Sequence, residues 1–178
     1  MRTSENADLA LQVSAQDHAD GPASAPLTLV EYGDYECPYC GEAYPILKQV
    51  KAQIGDRLRF VFRNFPLTDS HPYAFVAAEA AEAAAGQGQF WAMHDKLYEN
   101  QSDLGGDALL KYARQIGLDV GLFTKEVNNR TYAQRIEEDF QSGLDSGVNG
   151  TPMLFINGQR YDGERSLAAI VYAVESVL

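Results

Sequence analysis

The chain has two cysteines, and they stand three positions apart in Cys37-Pro38-Tyr39-Cys40. That spacing constrains the fold more than any other feature. A disulfide across so short a loop removes little freedom from the unfolded chain, so it cannot staple a fold. Disulfide-framed domains also carry more cysteines, spread along the chain. The core must therefore come from hydrophobic burial, which leaves the two thiols for chemistry. Their setting is specific. The run Leu27-Thr28-Leu29-Val30-Glu31-Tyr32 is β-branched and apolar enough for a buried strand, and Gly33 to Glu36 leaves it. A helix is expected from Cys37, with Pro38 in the first position, where its missing N–H costs nothing. Leu47, Val50 and Ile54 share one face of that helix, Pro45 should kink it, and Gly55-Asp56 ends it.

The remaining elements follow from periodicity. Leu58, Phe60 and Phe62 alternate with Arg57, Arg59, Val61 and Arg63, a strand pattern. Pro72 to Ala85 is an Ala-rich helix closing at Gly86. Further helical faces are Phe90, Trp91, His94, Leu97 and Tyr98, then Ala108 to Ile116, then roughly 119–128 and 130–142. Met153 to Ile156, Asn157-Gly158 and Gln159 to Tyr161 read as a hairpin on a type I′ turn. Leu167, Ile170, Val171, Val174 and Leu178 close the chain as an amphipathic helix. Before all this, Leu9, Leu11 and Val13 alternate with polar residues, which suits an edge strand in an N-terminal arm. The fold class is α/β, a small mixed sheet flanked by helices. The expected division is an arm over 1–25, a sheet domain over 26–66 and 145–178, and an inserted helical domain over 67–144.

Charge narrows the function. Fourteen Lys and Arg against twenty-five Asp and Glu give a net charge of −11 over 178 residues, which repels phosphate backbones and excludes nucleic acid as a partner. No apolar run approaches the roughly 18–20 residues of a spanning helix, and the first residues lack the apolar stretch of a secretory signal. A cytoplasmic location is the expectation, periplasmic if a signal has been removed.

A thiol at a helix start meets unpaired N–H groups and the positive end of the helix dipole, which favour the thiolate. Cys37 is thus the expected nucleophile, and Cys40, one turn on, the partner that resolves a mixed disulfide. Zinc is the competing use of two such cysteines. It usually needs four N or S ligands, whereas there is no second Cys-x-x-Cys and His18, His71 and His94 are not at ligand spacing. No metal and no cofactor are expected. His94 on its apolar face reads as a packed, hydrogen-bonded residue, and Arg63 as the partner of an acid. Asp34 and Glu36 beside Cys37 would oppose the thiolate.

The stretch Val30 to Cys40, VEYGDYECPYC, resembles the active-site strand and helix start of the thioredoxin superfamily. Gly147 to Pro152 with Leu154 to Gly158 is similar to the cis-proline loop and hairpin of DsbA-like proteins. Arg63 to Leu67 and Gln89 to Asp95 are similar to the inserted helical domain of that family. The resemblance covers nearly the whole chain from about residue 25. It implies a thioredoxin-like fold and a thiol–disulfide oxidoreductase acting on protein or peptide thiols and disulfides, with glutathione and a redox recycling partner as further candidates. It implies that Pro152 is cis, that Thr151 and Pro152 meet substrate beside Pro38 and Tyr39, and that Glu31 is the buried acid serving the resolving thiol, its pKa raised by burial. A Pro-Tyr pair lacks the cation of the Pro-His pair in strongly oxidising DsbA enzymes, so a potential of roughly −200 to −270 mV is expected. The alternatives are a non-catalytic thioredoxin-fold binding module and a glutathione-linked transferase or isomerase.

Overall fold

The computed structural model describes residues 8–178. The first seven residues of the expected arm lie outside them. Five strands form one mixed sheet in the order β1-β3-β2-β4-β5. They are β1 His18–Asp20, β2 Leu27–Gly33, β3 Leu58–Asn64, β4 Met153–Ile156 and β5 Gln159–Tyr161. Between β2 and β3 runs α1, Pro38–Ile54. A helical block follows β3: α2 Ala74–Gly86, α3 Phe90–Glu99, α4 Gly106–Gln115, α5 Val120–Asn128 and α6 Ala133–Asp145. The closing helix is α7, Leu167–Glu175.

β2 and β3 are parallel, with Leu27 opposite Leu58 and Gly33 opposite Asn64. β4 returns antiparallel to β2, placing Tyr32 opposite Met153. The β4–β5 turn is of the expected kind, since Asn157 and Gly158 both have positive φ, 47° and 84°. Strand alternation then divides the core. Leu27, Leu29, Phe60, Phe62, Leu154 and Ile156 pack with Leu47, Val50 and Ile54 of α1 and Ile170 and Val174 of α7. On the other face Val30, Tyr32, Val61 and Phe155 meet Leu9, Phe65 and Val148. Ala77, Ala80, Ala81, Ala83 and Ala84 of α2 are buried in the larger core, where small side chains let the helix approach closely.

Two expectations need correction. The arm's strand is not at Leu9 to Val13 but at His18–Asp20, antiparallel to β3. The earlier residues are taken by Arg63, whose guanidinium donates to the Leu11 and Gln12 carbonyls and to both Asp17 oxygens. Carbonyls held by a side chain are not available to a ladder. The Ala-rich helix begins at Ala74 rather than Pro72, because the residues before it are tied to the Asp34 turn. α1 runs unbroken through Pro45.

Candidate active site

β2 delivers the site. Its last residue, Gly33, has room for no side chain, since a Cβ there would lie 2.5 Å from the Phe62 ring and 2.9 Å from the Tyr98 hydroxyl. The chain then turns on Asp34. The Asp34 Oδ1 accepts the N–H groups of Glu36 at 2.8 Å and Cys37 at 3.2 Å. Cys37 is the N-cap of α1, with extended backbone (φ −68°, ψ 122°), and Pro38 is the first helical residue. The first helical hydrogen bond runs from the Gly41 N–H to the Cys37 carbonyl. Gln101 fastens the outside of this turn, its side-chain amide donating to the Tyr35 and Cys37 carbonyls at 2.8 and 2.9 Å. Gly41 makes room for Gln101, since a Cβ there would come within 2.0 Å of the Gln101 amide oxygen.

Both thiols are free and buried. The Cys37 thiol donates to the Thr151 carbonyl at 3.6 Å, and the Thr151–Pro152 peptide is cis. The Thr151 hydroxyl is buried with no partner among the described residues. The two cysteines have opposite acidities. A hydrogen bond from Cys40 is the largest influence on Cys37. It outweighs desolvation and, with the N–H groups of Cys40 and Tyr39, lowers the Cys37 pKa to about 5. Burial, together with that same hydrogen bond to Cys37, pushes the Cys40 thiol up. At neutral pH the pair therefore carries one negative charge, on Cys37, and one proton, on Cys40.

Glu31 lies on the β2 face that also carries Leu27 and Leu29. It is 2% exposed, and its Oε1 has no partner among the described residues. Desolvation is the main cause of its pKa rising to about 8, opposed by the charge of Lys51 and reinforced by that of Cys37. Beside it is a cavity of about 10 Å³ lined by Glu31, Tyr44, Leu47, Lys48, Lys51, Phe60 and His94, space for the centre of about one water.

The expected site residues thus converge at the C-terminal end of the central strand β2, with Pro38 and Tyr39 on its surface; Tyr39 is 59% exposed. His94 is where packing puts it. It is buried, its Nδ1 3.0 Å from the Tyr35 hydroxyl, and surrounded by the rings of Phe62, Trp91 and Tyr98. Arg63 holds the arm through Asp17. Gln101 and His71 have no signal at the level of spacing. His71 donates from Nδ1 to Asp34 Oδ2 at 2.8 Å, from a loop more than thirty residues away. Among the described residues no three His, Cys, Asp or Glu side chains group as metal ligands.

The family model that matches is that of thioredoxin, over residues 14–176. The chain is similar in structure to BdbD from Bacillus subtilis, with TM-score 0.80 and 24% identity over 89% of this chain and 90% of that one. It is also similar to a thioredoxin-like oxidoreductase from Silicibacter pomeroyi, with TM-score 0.81 and 25% identity over 92% and 93%. In sequence it is 48% identical over 161 residues to Na(+)/H(+) antiporter NhaA 1 of Salinispora arenicola, which covers 90% of this chain and 24% of that one. The chain spans about a quarter of the length of the curated relatives it matches. Among the described residues no helix is long and apolar enough to cross a membrane.

Proposed function

Since the chain belongs to the thioredoxin family, we propose that it is a protein thiol–disulfide oxidoreductase in which Cys37 attacks and Cys40 resolves. The observation that carries this reading is the placing of Cys37 as the N-cap of α1, its sulfur 3.6 Å from the Thr151 carbonyl and the free thiol of Cys40 one turn on; the split acidity of the pair, about 5 for Cys37 against a thiol pushed up at Cys40, agrees with it. In the oxidising direction a substrate thiolate attacks Cys37 Sγ of the Cys37–Cys40 disulfide. A substrate–Cys37 bond forms, the Cys37–Cys40 bond breaks, and the electron pair leaves on Cys40. Glu31, neutral over most of its population at pH 7, supplies the proton that Cys40 takes up. A second substrate thiolate then displaces Cys37, which leaves as a stable thiolate. Two electrons have passed from substrate to enzyme. The reducing direction is the reverse, with Glu31 accepting the Cys40 proton. The cavity between Glu31, Lys48 and Lys51 has room for about one water to pass that proton on.

Substrate meets the site at Thr151 and Pro152, whose backbone lies against Cys37, and at the surface offered by Pro38 and Tyr39. An extended peptide pairing with the Thr151 backbone would bring its own sulfur to Cys37. Glutathione and a recycling dithiol protein are the small and large thiol partners of such a pair. We take residues 67–144 as the inserted helical unit, since all five strands lie outside them.

A thiolate this stable favours the reduced form, so the pair is a better oxidant than the Pro-Tyr sequence suggests. It belongs in the range between roughly −200 and −120 mV, bounded by glutaredoxin and DsbA. Such a pair works in an oxidising compartment, and we place it outside the cytoplasm rather than within it. The test is a pair of variants. Cys37→Ser should abolish insulin reduction and disulfide transfer, and Cys40→Ser should accumulate mixed disulfides through Cys37. Turnover persisting in Cys37→Ser would overturn the reading.

A further inference from the structure

The Cys-x-x-Cys pair carries no cation between its cysteines, yet a histidine is tied in behind it. Asp34 is 1% exposed, and both its oxygens are fully used. Oδ1 takes the Glu36 and Cys37 N–H groups. Oδ2 takes the Leu67 N–H at 2.9 Å and His71 Nδ1 at 2.8 Å. One carboxylate thus joins the nucleophile's own backbone to an imidazole on the loop that precedes α2. Glu36 repeats the connection by accepting the Tyr73 N–H at 2.7 Å. A lone buried carboxylate next to Cys37 would oppose the thiolate through its charge. Paired with an imidazolium, it no longer does.

We propose that His71, held by Asp34, is a positioning residue that places a positive charge behind Cys37 and so sets how oxidising the pair is. The inference rests on the reading of Cys37 as the exchange nucleophile. When the disulfide takes up two electrons and one proton, the proton goes to Cys40 and the negative charge stays on Cys37. That charge acts on the His71 ring in the reduced form and is absent in the oxidised form. The ionisable groups acting on the ring are Asp34, Cys37 and Glu36. Burial lowers the ring's basicity, but the Asp34 hydrogen bond, with these three charges, outweighs burial and raises it above the usual histidine value. Coupling between two sites is reciprocal. Whatever His71 does to the Cys37 proton, Cys37 does equally to the His71 proton.

The experiment is a titration of both partners in the reduced protein. Cys37 ionisation is followed by thiolate absorbance, and His71 by its ring-proton NMR shift, repeated after oxidation. His71→Asn retains a donor for Asp34 without the charge, and His71→Ala removes both. With the charge acting, both variants should raise the Cys37 pKa by about half a unit to one unit. Equilibration with glutathione should shift about three- to tenfold toward the disulfide form, tenfold being about 30 mV. The wild-type His71 pKa should fall on oxidation by the same half to one unit. The proposal is overturned if His71→Asn titrates like wild type, whether or not His71→Ala moves, or if His71 titrates alike in both redox forms. None of these results touches the parent reading, which stands or falls with exchange by Cys37→Ser.

Discussion

Glu31 and Glu82 are buried to almost the same depth, 2% and 1% exposed, and nothing else about them is alike. Glu82 is surrounded by donors. His18 Nε2 lies 2.9 Å from its Oε1, Asn64 donates to the same oxygen at 2.9 Å, and Arg135 Nε forms an ion pair 2.9 Å from Oε2. His18, from β1, also stacks on Phe90 with ring centres 3.8 Å apart. Glu82 therefore joins β1, β3, α2 and α6. Glu31 has aliphatic and aromatic neighbours, an unpartnered oxygen and a cavity. A buried carboxylate supplied with partners holds elements together. One left without them stays neutral and can trade a proton with the nearest thiol. The difference between depth and partnership is what separates scaffold from chemistry here.

The largest effect expected from this contrast is on pH dependence. The folded pKa of Glu31 is raised, from 4.5 to about 8. Its contribution to stability is fully present below the unfolded value and lost as pH rises through the folded one. Chemical denaturation of wild type and Glu31→Gln should therefore diverge between pH 4.5 and 8.5, the wild type losing about 3–5 kcal/mol relative to the variant. Parallel curves would mean that Glu31 is not held neutral. Next in size is Glu82→Leu, which strands His18, Asn64 and Arg135. With His18 and Arg135 partly exposed, about 2–4 kcal/mol of stability should be lost, measured at constant pH, while Cys37 keeps its titration. A shifted Cys37 midpoint would erase the division between the two acids.

Kinetics sharpen the same contrast. Glu31→Gln should slow disulfide exchange about 30- to 100-fold at neutral pH, or about 2–2.7 kcal/mol, in stopped-flow transfer to a model peptide. The smallest effect is at a third carboxylate, Glu175, which is paired with Arg57 at 2.8 Å but about half exposed. Arg57→Ala should change stability by no more than about 0.5 kcal/mol, by thermal melting.

Legibility in the sequence follows the range of the interaction that decides each feature. The Asn157-Gly158 hairpin and the helix start at Pro38 depend on backbone preferences of one or two residues, so they could be read directly. The strand carrying Glu31 was readable from its β-branched, apolar run, and its relation to Cys37 from the resemblance to thioredoxins. The arm's register was not readable, because Arg63 decides it by capturing carbonyls some fifty residues away. His71 escaped for the same reason. Only folding brings it to Asp34, and a single histidine after a Phe-Pro loop has no periodicity to betray it. Asp34 itself was visible, but as a charge opposing the thiolate. Its pairing with His71 reverses that meaning.

The central claim is that Cys37 is a stabilised thiolate and Cys40 a protonated, protected partner. The most direct measurement is the rate of alkylation of each cysteine in the reduced protein against pH, read by mass spectrometry. The account predicts modification of Cys37 with a midpoint near pH 5, with Cys40 unmodified through neutrality. A Cys37 midpoint near 8.5, the ordinary thiol value, or faster alkylation of Cys40, would contradict it.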